Sequence, residues 1–192
     1  MSMRSADVAQ FVRESIDPLD DPIYGKRYRA AAYLLDGTYL PCVVFQSQAM
    51  QLALFHRRMK QLRWTPSQKK PVIAIFVAGE SRVAYYQLKS VEKSPFAWPS
   101  AILQMIHGET TMGWTAFVAE MRDGTMHSYG TSFSFEFFDL PEGYSYGDIV
   151  KIHSGVVYSR SSGLQKFSLD LLKQNPPLRE KPFFTCYLPE LD

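Results

Sequence analysis

Glu120 and His127 are the two residues in this chain whose types and spacing suit proton transfer. Between them lies Asp123-Gly124. That dipeptide suits a two-residue type I′ hairpin turn, in which both central residues need positive φ. A two-residue turn there sets residues whose numbers sum to 247 opposite one another, so Glu120 faces His127. Trp114, Ala116 and Val118 then share that face with Tyr129, Thr131 and Phe133. A carboxylate opposite an imidazole orients the ring and raises its pKa. That is one ingredient of general acid–base catalysis. At a hairpin tip the same pair is also an ordinary exposed cross-strand contact, worth a few tenths of a kcal/mol up to about 1.

A second constellation is basic. Arg57, Arg58, Lys60, Arg63, Lys69 and Lys70 follow one another with no acidic residue between them, and Trp64 lies among them. Cations neutralise phosphates and an aromatic ring stacks a base, so the stretch suits nucleic acid. It equally suits the solvated face of an amphipathic helix. A third candidate is the loop 140–147, where Tyr144 and Tyr146 offer contact surface for a protein partner or small ligand. The bland alternative is that both rings fold back over the sheet edge.

Other chemistry lacks a signature. There is no G-x-x-x-x-G-K-[ST] loop, G-x-G-x-x-G, H-E-x-x-H or G-x-S-x-G. Ser67-x-x-Lys70 and Ser90-x-x-Lys93 match a two-residue fragment that arises by chance, and neither S-D-N nor K-T-G accompanies it. His56, His107, His127 and His153 show no metal-ligand spacing, and His153 is expected to be solvated beside Lys151. No metal and no cofactor is therefore expected.

The elements that would position these residues are legible from turn signals. Asp36-Gly37, Gly79-Glu80 and Asp123-Gly124 start 43 and 44 residues apart, each flanked by apolar or aromatic residues. They predict three two-residue hairpins: from about Arg27 to Phe45, from Val72 to about Val91, and from about Trp114 to Phe138. Pro41 places its strand at a sheet edge or in a bulge. Helices are predicted at 5–16, at 47–64 through the stripe Leu52, Phe55, Met59 and Leu62, and at 99–107. One strand is expected over 148–158. Residues 162–174 fit a helix or a strand, with helix favoured. The tail after Pro176-Pro177 carries Phe183, Phe184, Tyr187 and Leu188. Those residues are too apolar to stay in water, so a strand docked on the chain's own sheet is favoured over an arm exchanged between copies.

The bulk numbers agree with a folded, β-rich chain. Its 192 residues fit one domain or two small ones, and 46% are apolar and 14% aromatic. Net charge is +2 but uneven: residues 1–96 carry 14 basic and 8 acidic side chains, and residues 97–192 carry 7 and 11. A dipolar surface of this kind suits a charged partner or head-to-tail self-association. Cys42 and Cys186 are expected as two buried thiols. The N-terminus has no secretory h-region and the longest apolar run is Val72 to Ala78, so a cytoplasmic location is expected, with no membrane partner.

The expected fold is α+β: a single domain over 1–192 with a mainly antiparallel sheet of about seven or eight strands. Amphipathic helices cover one face, and 176–192 is a candidate C-terminal arm. The expected function is that of a soluble intracellular binding or interaction protein, with an unidentified protein or small ligand as partner. The alternatives are a nucleic-acid-associated protein using the basic helix 47–64, and an enzyme with its site near Glu120 and His127.

Overall fold

The computed structural model describes residues 1–22, 24–61, 81–111, 113–132, 137–174 and 177–191. The chain divides into two compact units. The first is Met1–Pro95 together with Phe183–Asp192, and the second is Phe96–Pro182. Four α-helices and eleven strands occur among the described residues. The fold is sheet-rich α+β, as expected, but the sheets are mixed and not a single antiparallel one.

In the first unit, α1 (Ser5–Ser15) opens with Asp7 in its first turn, where the helix dipole favours negative charge. Arg4 holds that carboxylate through two hydrogen bonds, at 2.6 and 2.9 Å. The helix stops before Asp17-Pro18, because a residue preceding proline avoids the helical region. Strands β1 (Pro18–Asp21), β2 (Gly25–Leu34) and β3 (Tyr39–Ser47) follow, then helix α2 (Gln48–Gln61) and strand β4 (Leu88–Lys93). β1 and β4 both pair antiparallel with β2. Val8, Ala9 and Val12 of α1 are buried in one core with Ala30, Val43 and Phe45. Ala30, Ala31 and Ala32 are all buried, as are Val43, Val44 and Phe45, so both faces of the central pair are covered.

Pro41 lies in a bulge on β3, one of the two predicted settings. Ala30 pairs with Val43 but Ala32 with Leu40, so β3 carries an extra residue there. The Pro41 carbonyl accepts the Ser94 hydroxyl at 2.6 Å.

The predicted second hairpin is not seen as drawn. Gly79-Glu80 and the incoming arm lie outside the described residues. The outgoing arm is not one strand. Arg82 makes a single parallel bridge to Thr185, Tyr85–Gln87 form a 3-10 turn, and β4 then pairs with β2. The helix α2 is present, but of its expected apolar stripe Leu52 is exposed and Phe55 half-buried, whereas Gln51 and Leu54 are buried. The side chains of Met59 and Leu62 lie outside the described residues.

The second unit begins with α3 (Ser100–Leu103), far shorter than the predicted 99–107. Next come β5 (Thr115–Met121), β6 (Met126–Thr131), β7 (Ile149–Ser154), β8 (Val156–Ser159) and β9 (Gly163–Lys166). α4 (Leu169–Gln174) and β10 (Leu178–Arg179) complete it. The sheet order is β10-β6-β5-β7, with β8-β9 as a separate hairpin. The expected strand over 148–158 breaks at Gly155, whose φ of 72° no β-branched residue tolerates, and its halves join different sheets. Residues 162–174 are a strand and then a helix, which resolves a segment whose apolar spacing fits both. The unit's core is aromatic: Trp98, Phe117, Tyr129, Phe137 and Phe138 are fully buried. Phe117 and Tyr129 stack at 5.2 Å, and Trp98 meets both edge-on. Residues 133–136, part of the alternation Phe133-Phe135-Phe137, lie outside the described residues.

The tail returns to the first unit as β11 (Phe184–Leu188), parallel to β3, with Cys186 and Leu188 fully buried. This pair and β10 on β6 are the parallel pairs among the described strands. Among the described residues, no helix is long and apolar enough to cross a membrane.

Candidate functional site

The geometry of the candidate site starts from the turn at 121–125. Gly124 N–H donates to Met121 O at 2.9 Å, and Met121 N–H donates to Thr125 O at 2.9 Å. Arg122 and Asp123 are therefore the central residues of the turn, and Gly124 follows with φ 84°. This is a three-residue loop of the type I plus bulge kind, not the predicted two-residue turn. One extra residue shifts the register by one and sends each side chain to the other face. His127 pairs with Ala119, and Glu120 pairs with Met126. Phe117 pairs with Tyr129, and the two join the aromatic core.

Glu120 and His127 are thus on opposite faces of the sheet, and the expected contact does not form. Glu120 finds a different histidine. His153 of β7 lies diagonal to it, with Nε2 2.7 Å from Glu120 Oε2. Both side chains are half-buried, at 17% and 30% exposure, so His153 is not the solvated residue expected. Its ring makes no other hydrogen bond among the described residues. A carboxylate-oriented imidazole is therefore present, one strand away from where the sequence places it.

His127 lines an open groove of about 770 Å³ in the second unit. Ser128 and Asp139 line it too, as do Ser159, Arg160 and Ser161 at the β8–β9 turn. His127 Nε2 is buried and has no hydrogen-bond partner. Burial lowers the imidazole pKa, partly opposed by the nearby Asp123 charge. Ser128 Oγ accepts the Tyr158 N–H at 2.9 Å. Ser159 Oγ lies 3.0 Å from Ser161 Oγ, which lies 3.3 Å from Ser162 Oγ. Asp139 is paired with Lys181 at 3.0 Å. Tyr129, expected beside His127, shares its sheet face but points into the core. Its hydroxyl donates to Asp139 O, and burial raises its pKa.

Tyr144 folds back on the hairpin tip. Its hydroxyl donates to Asp123 Oδ2 at 2.7 Å, and its ring meets His127 edge-on at 5.6 Å. Asp123 also accepts the Thr125 N–H and hydroxyl, and these bonds hold its carboxyl down at about 2. Tyr146 is half-buried with its ring 6.3 Å from Trp98. Of the basic stretch, Arg57 is exposed on α2. Arg58 and Lys60 lie on the same helix. Arg63, Trp64, Lys69 and Lys70 lie outside the described residues. No group of three metal-ligating side chains occurs among the described residues.

The groove residues missed in the sequence are Ser128, Ser159, Arg160 and Ser161. The run Ser159-Arg160-Ser161-Ser162-Gly163 is a turn signal in which hydroxyls and a guanidinium are concentrated. It falls at the break between two expected elements, so Ser159, Arg160 and Ser161 belong to neither apolar pattern. In comparisons with protein-family models, curated proteins and solved structures, nothing matches the chain.

Proposed function

We propose that the protein is a binding protein, and that its second unit takes a small ligand in the groove beside His127. One observation carries this reading: His127 lines a groove of ligand size, and its Nε2 is buried with no hydrogen-bond partner. A buried polar atom left unpaired costs about 1–3 kcal/mol. A ligand that draws the ring toward the groove and supplies the missing bond recovers part of that cost. The test is an NMR screen of small polar fragments on histidine-labelled protein. Fragments that shift His127 but leave the exposed His56 and His107 unmoved support the groove. A screen in which no fragment shifts His127 selectively removes the proposal.

A second reading rests on Glu120 and His153. A carboxylate 2.7 Å from an imidazole nitrogen is the arrangement that activates a general base. On this reading the unit is an enzyme, and His153 accepts the proton. Glu120→Gln removes the charge and keeps the shape. It is expected to loosen the His153 ring, read as a change in its Nε2 chemical shift in histidine NMR, and an unchanged spectrum counts against the dyad.

A further inference from the structure

The groove beside His127 is richer in hydrogen-bond donors than in free acceptors. Arg160 is exposed and has no partner among the described residues. Ser128 Oγ accepts the Tyr158 N–H and makes no other hydrogen bond, so its own proton is unspent. The hydroxyls of Ser159, Ser161 and Ser162 are joined by two contacts, which leaves one O–H of the chain to donate outward. His127 lines the same groove, with its Nε2 buried and unpaired. The carboxylate on the lining, Asp139, already has its charge met by Lys181. One guanidinium and two hydroxyl donors form a set that an oxyanion satisfies and an uncharged carbonyl does not.

We propose that the groove recognises the phosphoryl group of a small phosphate monoester. A monoester presents three terminal oxygens and a charge of about −1.5 to −2 at pH 7. Arg160 takes two oxygens in its planar fork, and the serine hydroxyls donate to the third, with the His127 ring beside the anion as its reporter. The ester's organic part lies along Met126, Pro141 and Leu178, the apolar side of the same groove. This rests on the groove reading above and names its ligand.

The experiment titrates full-length, histidine-labelled protein with phenyl phosphate, phenol and inorganic phosphate, following the His127 imidazole by NMR. Phenyl phosphate is expected to shift His127 and to bind more tightly than phenol. Arg160→Gln is expected to weaken phenyl phosphate by roughly 10- to 100-fold, the worth of a charge-assisted pair. Lys166→Gln, an exposed charge change on the same hairpin, leaves the affinity unchanged. Inorganic phosphate binding as tightly as the ester assigns the site to the free anion and overturns the ester. Equal binding by wild type and Arg160→Gln also overturns the proposal. So does a His127 shift caused by phenol but not by phenyl phosphate, a result that leaves the groove itself standing. Silence from all three probes and from the fragment screen overturns both.

Discussion

The same turn closes a hairpin in each unit, and the two copies are put to different use. Leu34-Leu35-Asp36-Gly37-Thr38 and Met121-Arg122-Asp123-Gly124-Thr125 share one backbone pattern. In each, the glycine N–H donates to the residue three before it, and the threonine N–H donates to the aspartate Oδ1, at 2.9 Å in the first and 3.0 Å in the second. Gly37 has φ 91° and Gly124 φ 84°. Both aspartates are held below the usual carboxylate range by those bonds to the threonine. The difference is what leans on the tip. At Asp36 the described bonds stay within the turn. At Asp123, Tyr144 adds a hydroxyl bond and carries its ring to His127. Arg122 N–H donates to Asp148 O as Leu35 N–H donates to Gln87 O in the first turn, and the Arg122 guanidinium adds a bond to Gly147 O. A local sequence thus determines the turn, while its surroundings decide whether the turn serves the sheet alone or also walls a groove.

The comparison can be broken most forcefully beneath the second turn. The three-residue loop sets Tyr129 opposite Phe117 in the aromatic core. Tyr129→Ala removes one buried aromatic at a cost of about 3–5 kcal/mol, so the second unit is expected to lose its near-UV circular dichroism. An unchanged spectrum and melting temperature would defeat the three-residue assignment. A smaller effect is expected from Gly37→Val and Gly124→Val. A Cβ at either position meets nothing within 4 Å, so the cost is dihedral alone, about 1–3 kcal/mol. The two losses should match. A much larger loss at 124 would mean that the groove wall depends on the glycine itself.

Acid sharpens the contrast further. Asp36 and Asp123 both have folded pKa values below the unfolded value of about 3.9. Their stabilisation is therefore complete above about pH 4 and lost as pH falls through the folded pKa. For Asp123 that loss runs down to about pH 2. The melting-temperature gap between wild type and Asp123→Asn is expected to shrink over this window, and a pH-independent gap contradicts it. The smallest effect belongs to Tyr144→Phe. It removes one of three donors to the carboxylate and should raise the Asp123 pKa, read by carboxyl-carbon NMR, while leaving Asp36 where it is. A shift at both aspartates would show that the change is not local.

The positions of both Asp-Gly turns were legible in the sequence, but their lengths were not. Asp-Gly fits the central pair of a two-residue turn and also the last two residues of a three-residue loop. The choice decides which face every neighbour occupies, so Glu120 and His127 were assigned to one face and lie on two. The first unit's helix α1 and its first hairpin were readable from apolar spacing and the Asp-Gly signal, but the central, doubly covered place of β2 and β3 was not. The stripe on α2 misled, since Leu52 and Phe55 repeat at helical spacing while tertiary packing buries Gln51 and Leu54 instead. The groove was hidden because its donors come from β6, the segment near Asp139 and the β8–β9 turn, which only the sheet pairing brings together.

The buried thiols have a practical consequence. Cys42 on β3 and Cys186 on β11 are the chain's two cysteines, both buried and both in the first unit. Burial raises the Cys186 thiol to about 12, so the reactive thiolate is scarce while the strand stays docked. An alkylating reagent therefore acts as a clock for opening of the first unit, and it does not register events in the second. Run beside the aromatic circular dichroism of Trp98 and its neighbours, it times the two units separately, in an unlabelled and unmutated chain.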